Sequence, residues 1–386
     1  MNIIPGWVRN YQKAWLSGDM VAGVIVTVML IPQSLAYALL AGLPPEVGLY
    51  ASILPIIAYA ALGSSMTLAV GPVAVASLMT ASALQPLAAA GSPDYVALAM
   101  LLSLLSGGML LLFGVLRLGF LAHFLSHPVI SGFISGSAVL IAVGQIKHLL
   151  GVKAGGNDVL DTVVQLAHAA PGTNLVTLGI GAGSVLFLVL ARKSLSPWLV
   201  RLGASPRLAD IASKLAPMLA VMVSTALVAA MRWDQTAGVS IVGTVPQGLP
   251  HLGLPAVSIT SVGSLWLPAL LISLVGFVES VSVAQSLALK RQQRIQPNRE
   301  LLGLGAANVA SALSGGFPVT GGFARSVVNF AAGANTPLAG VISAVLMGVV
   351  IAALTGLFHY LPHAVLAATI IVAVVSLIDV ETLREA

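Results

Sequence analysis

Apolar runs of roughly 17 to 25 residues, long enough to cross a hydrocarbon layer about 30 Å thick, follow one another along nearly the whole chain. Read between charged or Pro/Gly breaks, they predict twelve membrane segments, near 20–41, 46–63, 71–88, 95–118, 128–149, 174–194, 213–232, 265–289, 299–315, 318–334, 337–358 and 361–379. Two of these differ from the rest. The third opens with Gly71-Pro72 after a polar stretch, and the tenth opens with Pro318 and contains Gly321, Gly322 and Arg325. Proline in a first helical turn, preceded by glycine, signals a helix start, so both helices are expected to begin inside the membrane from extended chain. They stand seven segments apart, and Gln33 precedes Pro72 by 39 residues, as Glu279 precedes Pro318. An odd number of crossings turns a second copy upside down, which predicts an inverted repeat.

Composition places most of this chain in lipid, because 58% hydrophobic and 8% charged residues leave too little polar surface to cover a soluble globule of 386 residues. The first 18 residues carry Trp7, Arg9, Tyr11, Lys13 and Trp15 without the apolar centre of a signal peptide, and predict an interfacial amphipathic helix. The net charge of +5 does not point to nucleic acid, since the basic residues lie in short loops between apolar runs. With a cytoplasmic N-terminus, thirteen of the 17 basic residues fall inside and three outside, and Arg325 lies within a segment. That bias predicts the N-terminus on the cytoplasmic side.

Two helices starting near the midplane from opposite sides would point their N-termini at each other, each with unpaired N–H groups and about half a positive charge. Such a site attracts anions before any basic side chain is counted. Arg325, placed about 10 Å along its helix from Pro318, can lean back toward it. As a purely structural group it would need a buried partner such as Glu279 or backbone carbonyls. Glu279 lies eleven residues before Lys290, about 16 Å from the cytoplasmic interface and therefore near the midplane. A carboxyl group there either pairs with a cation or takes up a proton, as a proton-coupled carrier requires; sodium would want more oxygen ligands than one carboxylate supplies. Gln33 and Tyr37, one turn apart after Pro32, offer neutral donors to an anion or simply pack.

The run GLGAAN at 303–308 lies inside a span rather than between a strand and a helix, so its glycines read as packing residues. The seven histidines show no metal-binding spacing and fall mostly at predicted interfaces; no metal site and no cofactor is expected. Without a cysteine, a Ser/His/Asp set, a Walker loop or paired carboxylates, enzyme activity is not expected either.

The stretch IPQSLAYALLAGLPPEVGLYASILPIIAYAALGSS at 31–65 resembles the signature of the sulfate permease family, and GFVESVSVAQSLA at 276–288 and FPVTGGFARSVVNFAAGANTPLAG at 317–340 resemble its eighth and tenth segments. The resemblance implies an all-helical polytopic fold, the seven-plus-seven inverted repeat shared with uracil permeases, with about twelve of fourteen segments present. It implies an N-terminal helix at 1–18, half-cores at 19–118 and 265–358, a half-gate at 119–232 and the start of another at 359–386. It implies a substrate site lined by Gln33, Tyr37, Gly71, Val73 and Ala74 on one side and Gly322, Phe323, Ala324 and Arg325 on the other, with Glu279 coupling transport to protons. The implied activity is secondary active transport of a sulfate-like anion, bicarbonate or a small carboxylate by an elevator movement, in a bacterial inner membrane and as a homodimer when full length. An anion channel and a nucleobase permease on the same fold are the alternatives. Met66 stands where the family usually has Lys or Arg, and Ala324 where many members have serine. LIDVETLREA at 377–386 resembles the stretch before two last spans and a STAS domain, so the chain is expected to be truncated.

Overall fold

The computed structural model describes residues 5–123, 127–154, 159–250, 252–255 and 258–375. In chain order the helices are α1 (Gly6–Arg9), α2 (Leu16–Leu40), α3 (Pro45–Tyr50), α4 (Leu54–Leu62), then, after the short strand β1 (Val70–Gly71), α5 (Ala74–Leu84) and α6 (Pro93–Val115). There follow α7 (His127–Leu150), α8 (Val159–Ala169), α9 (Leu175–Leu190), α10 (Ser196–Arg201), α11 (Pro206–Lys214), α12 (Ala216–Met231) and α13 (Trp233–Thr236). The last part of the chain holds α14 (Ile259–Leu289), α15 (Pro297–Leu313), strand β2 (Thr320–Gly321), α16 (Phe323–Ala332), α17 (Leu338–Ala353) and α18 (His363–Val375).

Local chemistry sets many of these boundaries. Proline occupies the first turn of α3, α4, α6 and α15, where its missing N–H costs nothing. Ser92 and Ser258 cap α6 and α14 by accepting from the N–H of Tyr95 and Ser261. Helix α16 ends at Gly333, whose φ of +104° needs a residue without a Cβ.

The chain divides into two compact units, Met1–Ser126 with Gly248–Ala352, and His127–Gln247 with Ala353–Ala386. In the first, α6 packs along α15, which also meets α4, while α14 lies against α6, and α2 against α3 and α16. Small residues allow this closeness: a Cβ on Gly107 would lie 2.7 Å from Val309 N, and one on Gly305 2.8 Å from Leu111 N. Gly303 approaches Gly63 similarly, so the GLGAAN glycines are packing residues. In the second unit, α7, α9 and α18 pack together, and α12 meets α9 and α18. Extended chain at Ile241 bridges Pro362, with Val242 N–H donating to Leu361 O at 2.8 Å and His363 N–H to Ser240 O at 3.0 Å.

Among the described residues, five stretches are long and apolar enough to cross a membrane: Lys13–Leu40, Pro45–Leu62, Pro93–Val115, Leu175–Arg201 and Ile259–Leu289. A sixth forms if Leu208–Lys214 and Ala216–Met231, bent by 48°, make one span. Several other expected segments are shorter apolar helices, Ala74–Leu84, Leu338–Ala353 and His363–Val375 among them.

Two expectations need correction. Residues 5–18 do not make one interfacial helix: α1 is a single turn, and Lys13–Trp15 forms a 3₁₀ turn leading into α2. Tertiary contacts break it, because Trp7 Nε1 donates to Ala60 O at 2.8 Å and the Tyr11 hydroxyl to Asp19. Nor do Pro72 and Pro318 sit in first helical turns. Both lie in the extended chain before their helices, where β1 and β2 pair, and α5 starts at Ala74 and α16 at Phe323. The end of the twelfth predicted segment and the stretch 377–386 lie outside the described residues.

Candidate functional site

Strands β1 and β2 pair antiparallel, Val70 with Gly321 and Gly71 with Thr320, and each runs directly into a short helix. At 1.5 Å per residue, α5 with eleven residues and α16 with ten are about 15 Å long, half of a hydrocarbon core. The two helices therefore start from a shared strand pair and are each too short to span the core alone. Their N-cap residues touch: a Cβ on Gly322 would lie 3.4 Å from Val73 Cγ1. Neither Val73 nor Gly322 gives its helix a side-chain cap, so each first turn points uncapped N–H groups at the junction.

Starting the helix at Phe323 makes Arg325 its third residue, so the guanidinium reaches the junction without leaning back a full turn. Arg325 is 2% exposed. Its Nη1 donates to Pro72 O at 2.9 Å and lies 3.5 Å from Gln33 Oε1; its Nη2 lies 3.5 Å from Ala69 O. Only the first of these is a short bond, and the buried Nε has no partner among the described residues. A Cβ on Gly71 or Gly322 would come within 3.2 Å and 3.1 Å of Nη2, so these glycines make room for the guanidinium.

Gln33 and Tyr37 share one face of α2 beside the junction, the first half-buried and the second buried. Tyr37 is close enough to feel the charges of both Arg325 and Glu279, which also act on each other. Glu279, on α14, is half-buried and makes no hydrogen bond or ion pair among the described residues; Arg325 is bonded to a carbonyl instead. Val73 and Ala74 are buried, whereas Phe323 is half exposed and Ala324 exposed on the first turn of α16. All ten predicted site residues thus lie in one unit, around the strand pair.

The supporting residues were not legible as such. Glu300, fully buried on α15, accepts from Ser64 N at 2.7 Å, Ser64 Oγ at 2.6 Å, Ser65 N at 3.0 Å and the Tyr59 hydroxyl at 2.7 Å. It anchors the loop that leads into β1. Asn308 brackets Val319, accepting from its N–H and donating to its carbonyl, and Ser280 accepts from Gly321 N, so α15 and α14 hold the loop of β2. Ser326 accepts from Ala69 N and Asn329 donates to Thr67 O, tying α16 to the loop that leads into β1. At the far end of α16, Arg291 donates to Ala334 O, and Asp19 accepts from the N–H groups of Asn335 and Thr336. A sequence signal existed only for the charges, as isolated acids near predicted span ends.

The sulfate permease family profile matches residues 16–386. The chain is 39% identical over 382 residues to a probable sulfate transporter of Mycobacterium tuberculosis, covering 98% of this chain and 65% of that protein. It is 36% identical to the chloroplastic sulfate transporter 4.1 of Arabidopsis thaliana, covering 97% of this chain and 53% of that one. The chain thus spans less than two thirds of these relatives. Among solved structures it resembles the transmembrane domain of a cyanobacterial bicarbonate transporter, BicA, with a TM-score of 0.83 and 25% identity, covering 97% and 92% of the two chains. It shares the fold of the murine Slc26a9 anion transporter in its inward-facing state, with a TM-score of 0.87 at 23% identity, covering 97% and 63%. The match over residues 16–386 and the fold shared with these membrane proteins establish this chain as an integral membrane protein of the sulfate permease family.

Proposed function

We propose that the protein is a secondary active transporter of small anions, sulfate being the first candidate, that binds its substrate where α5 and α16 begin. The carrying observation is the convergence of two uncapped helix N-termini on a guanidinium with an unpartnered Nε. An unsatisfied buried donor costs about 1–3 kcal/mol, and an anion supplies the acceptors that the N–H groups and Arg325 lack. A neutral nucleobase would leave this positive site uncompensated. The names of the relatives, sulfate and bicarbonate transporters, support the same substrate class.

In this reading Glu279 carries the coupling proton, because it sits beside the site without a fixed partner. The unit that holds the strand pair is the moving core, the other unit the gate, and the positive-inside bias sets the N-terminus in the cytoplasm of a bacterium. In proteoliposomes, an inward proton gradient should stimulate labelled-sulfate uptake severalfold, and Glu279→Gln should remove the stimulation while leaving sulfate exchange. Uptake indifferent to the gradient, or still gradient-driven in Glu279→Gln, would reject the coupling role. Unitary currents in place of slow, saturable uptake would instead identify a channel.

A further inference from the structure

The second unit brings together two histidines that the sequence separates by 215 residues. His148, in the last turn of α7, and His363, the first residue of α18, have ring centroids 5.9 Å apart and planes inclined at 79°. Both are half-buried, so the rings are held by packing yet reachable from solvent. Their backbones are fixed as well. His363 N–H donates to Ser240 O, and α7 packs along α18. The pair lies in the unit that does not contain the strand pair.

We propose that His148 and His363 form a bridging site for a divalent transition metal of the zinc or nickel type. A metal bound to two imidazole nitrogens at about 2.0–2.1 Å, with an angle between tetrahedral and linear, holds the two ring centroids about 5–6.5 Å apart. The observed 5.9 Å falls in this range. Imidazole is a favoured ligand for zinc, copper and nickel and a poor one for magnesium or calcium, which sets the class of ion. Water completes the coordination. Two ligands give a weaker site than a structural zinc centre, and the neighbouring Lys147 ammonium, which acts on His148 electrostatically, opposes the cation. The ion thus enters at micromolar or higher concentration rather than being permanently resident. It joins α7 to α18.

An edge-to-face ring pair with no metal function has the same spacing, so the test must separate the two. Purified protein freed of any histidine tag is melted in detergent at pH 7.5 with about 1 mM zinc or nickel chloride, or with magnesium chloride as control. The proposal expects a saturable rise of a few degrees with zinc or nickel and none with magnesium. His148→Ala and His363→Ala should each abolish the rise, while His359→Ala, beside Tyr360 in the same loop, keeps it. Equilibrium dialysis against nickel guards against a variant that melts abnormally, since about one site per chain should disappear in either variant. No rise in the native protein, or a rise and stoichiometry unchanged in both variants, would overturn the proposal and leave the rings as a packing contact.

Discussion

Arg325 is the residue whose role changes most once its surroundings are known. The sequence offers it either as an anion binder or as a partner for Glu279. In the structure it is bonded to Pro72 O, across the junction, with further donors left over. It ties the start of α16 to the chain before α5, and in the proposed reading it also lends its charge to the anion. Arg325→Ala should therefore weaken anion binding about ten- to a hundredfold without abolishing it, the range expected for losing one or two charge-assisted hydrogen bonds. Arg325→Lys should recover part of the loss, because one ammonium cannot span the carbonyl and the anion together. Equilibrium binding of labelled sulfate to both variants checks this. Glu300 gives a sharper stability test. Its carboxylate accepts four hydrogen bonds in a fully buried place, so Glu300→Ala strands four donors and should cost about 3 kcal/mol or more, read as a fall in melting temperature. Glu300→Gln keeps the shape but loses the charge and one acceptor, and should fall between.

At the scale of elements, the short helices were legible and their starts were not. Gly71-Pro72 and Pro318 mark a break in each segment, which the chain makes, but the break is used for strand pairing before the helix begins. Pairing needs the other half of the chain, hundreds of residues away, and no local signal carries it. The same holds for Ser326, Asn308 and Asn329, ordinary polar residues until their partners come from another segment. The family motifs, by contrast, are local runs: those quoted hold Gln33, Tyr37, Glu279 and Gly322 through Arg325, but not Gly71, Val73 or Ala74. Glycine shows the middle case. The packing role of Gly305 could be read from its place in an apolar span, but its partner on α6 could not. Because a Cβ there already meets Gly107 O at 3.0 Å and Leu111 N at 2.8 Å, Gly305→Leu should separate α6 from α15 and abolish recovery of monodisperse protein in detergent, while Gly108→Leu, in open space, is tolerated.

For the whole molecule, the chain divides into two compact units with the strand pair in one of them, and the proposed carrier reading rests on that division. All ten predicted site residues lie in that unit, so the proposed site is tested first by binding rather than by transport. Ala324 allows the most direct measurement, because it is exposed on the first turn of α16 and a larger side chain there fills the junction without disturbing buried packing. Binding of labelled sulfate to the purified protein, with sulfate, bicarbonate, fumarate and uracil as competitors, should be saturable in the native chain and displaced by at least one of the unlabelled anions but not by uracil. In Ala324→Phe it should be lost at an unchanged melting temperature. Saturable binding that persists undiminished in Ala324→Phe, or that uracil displaces, would contradict an anion site at the start of α5 and α16.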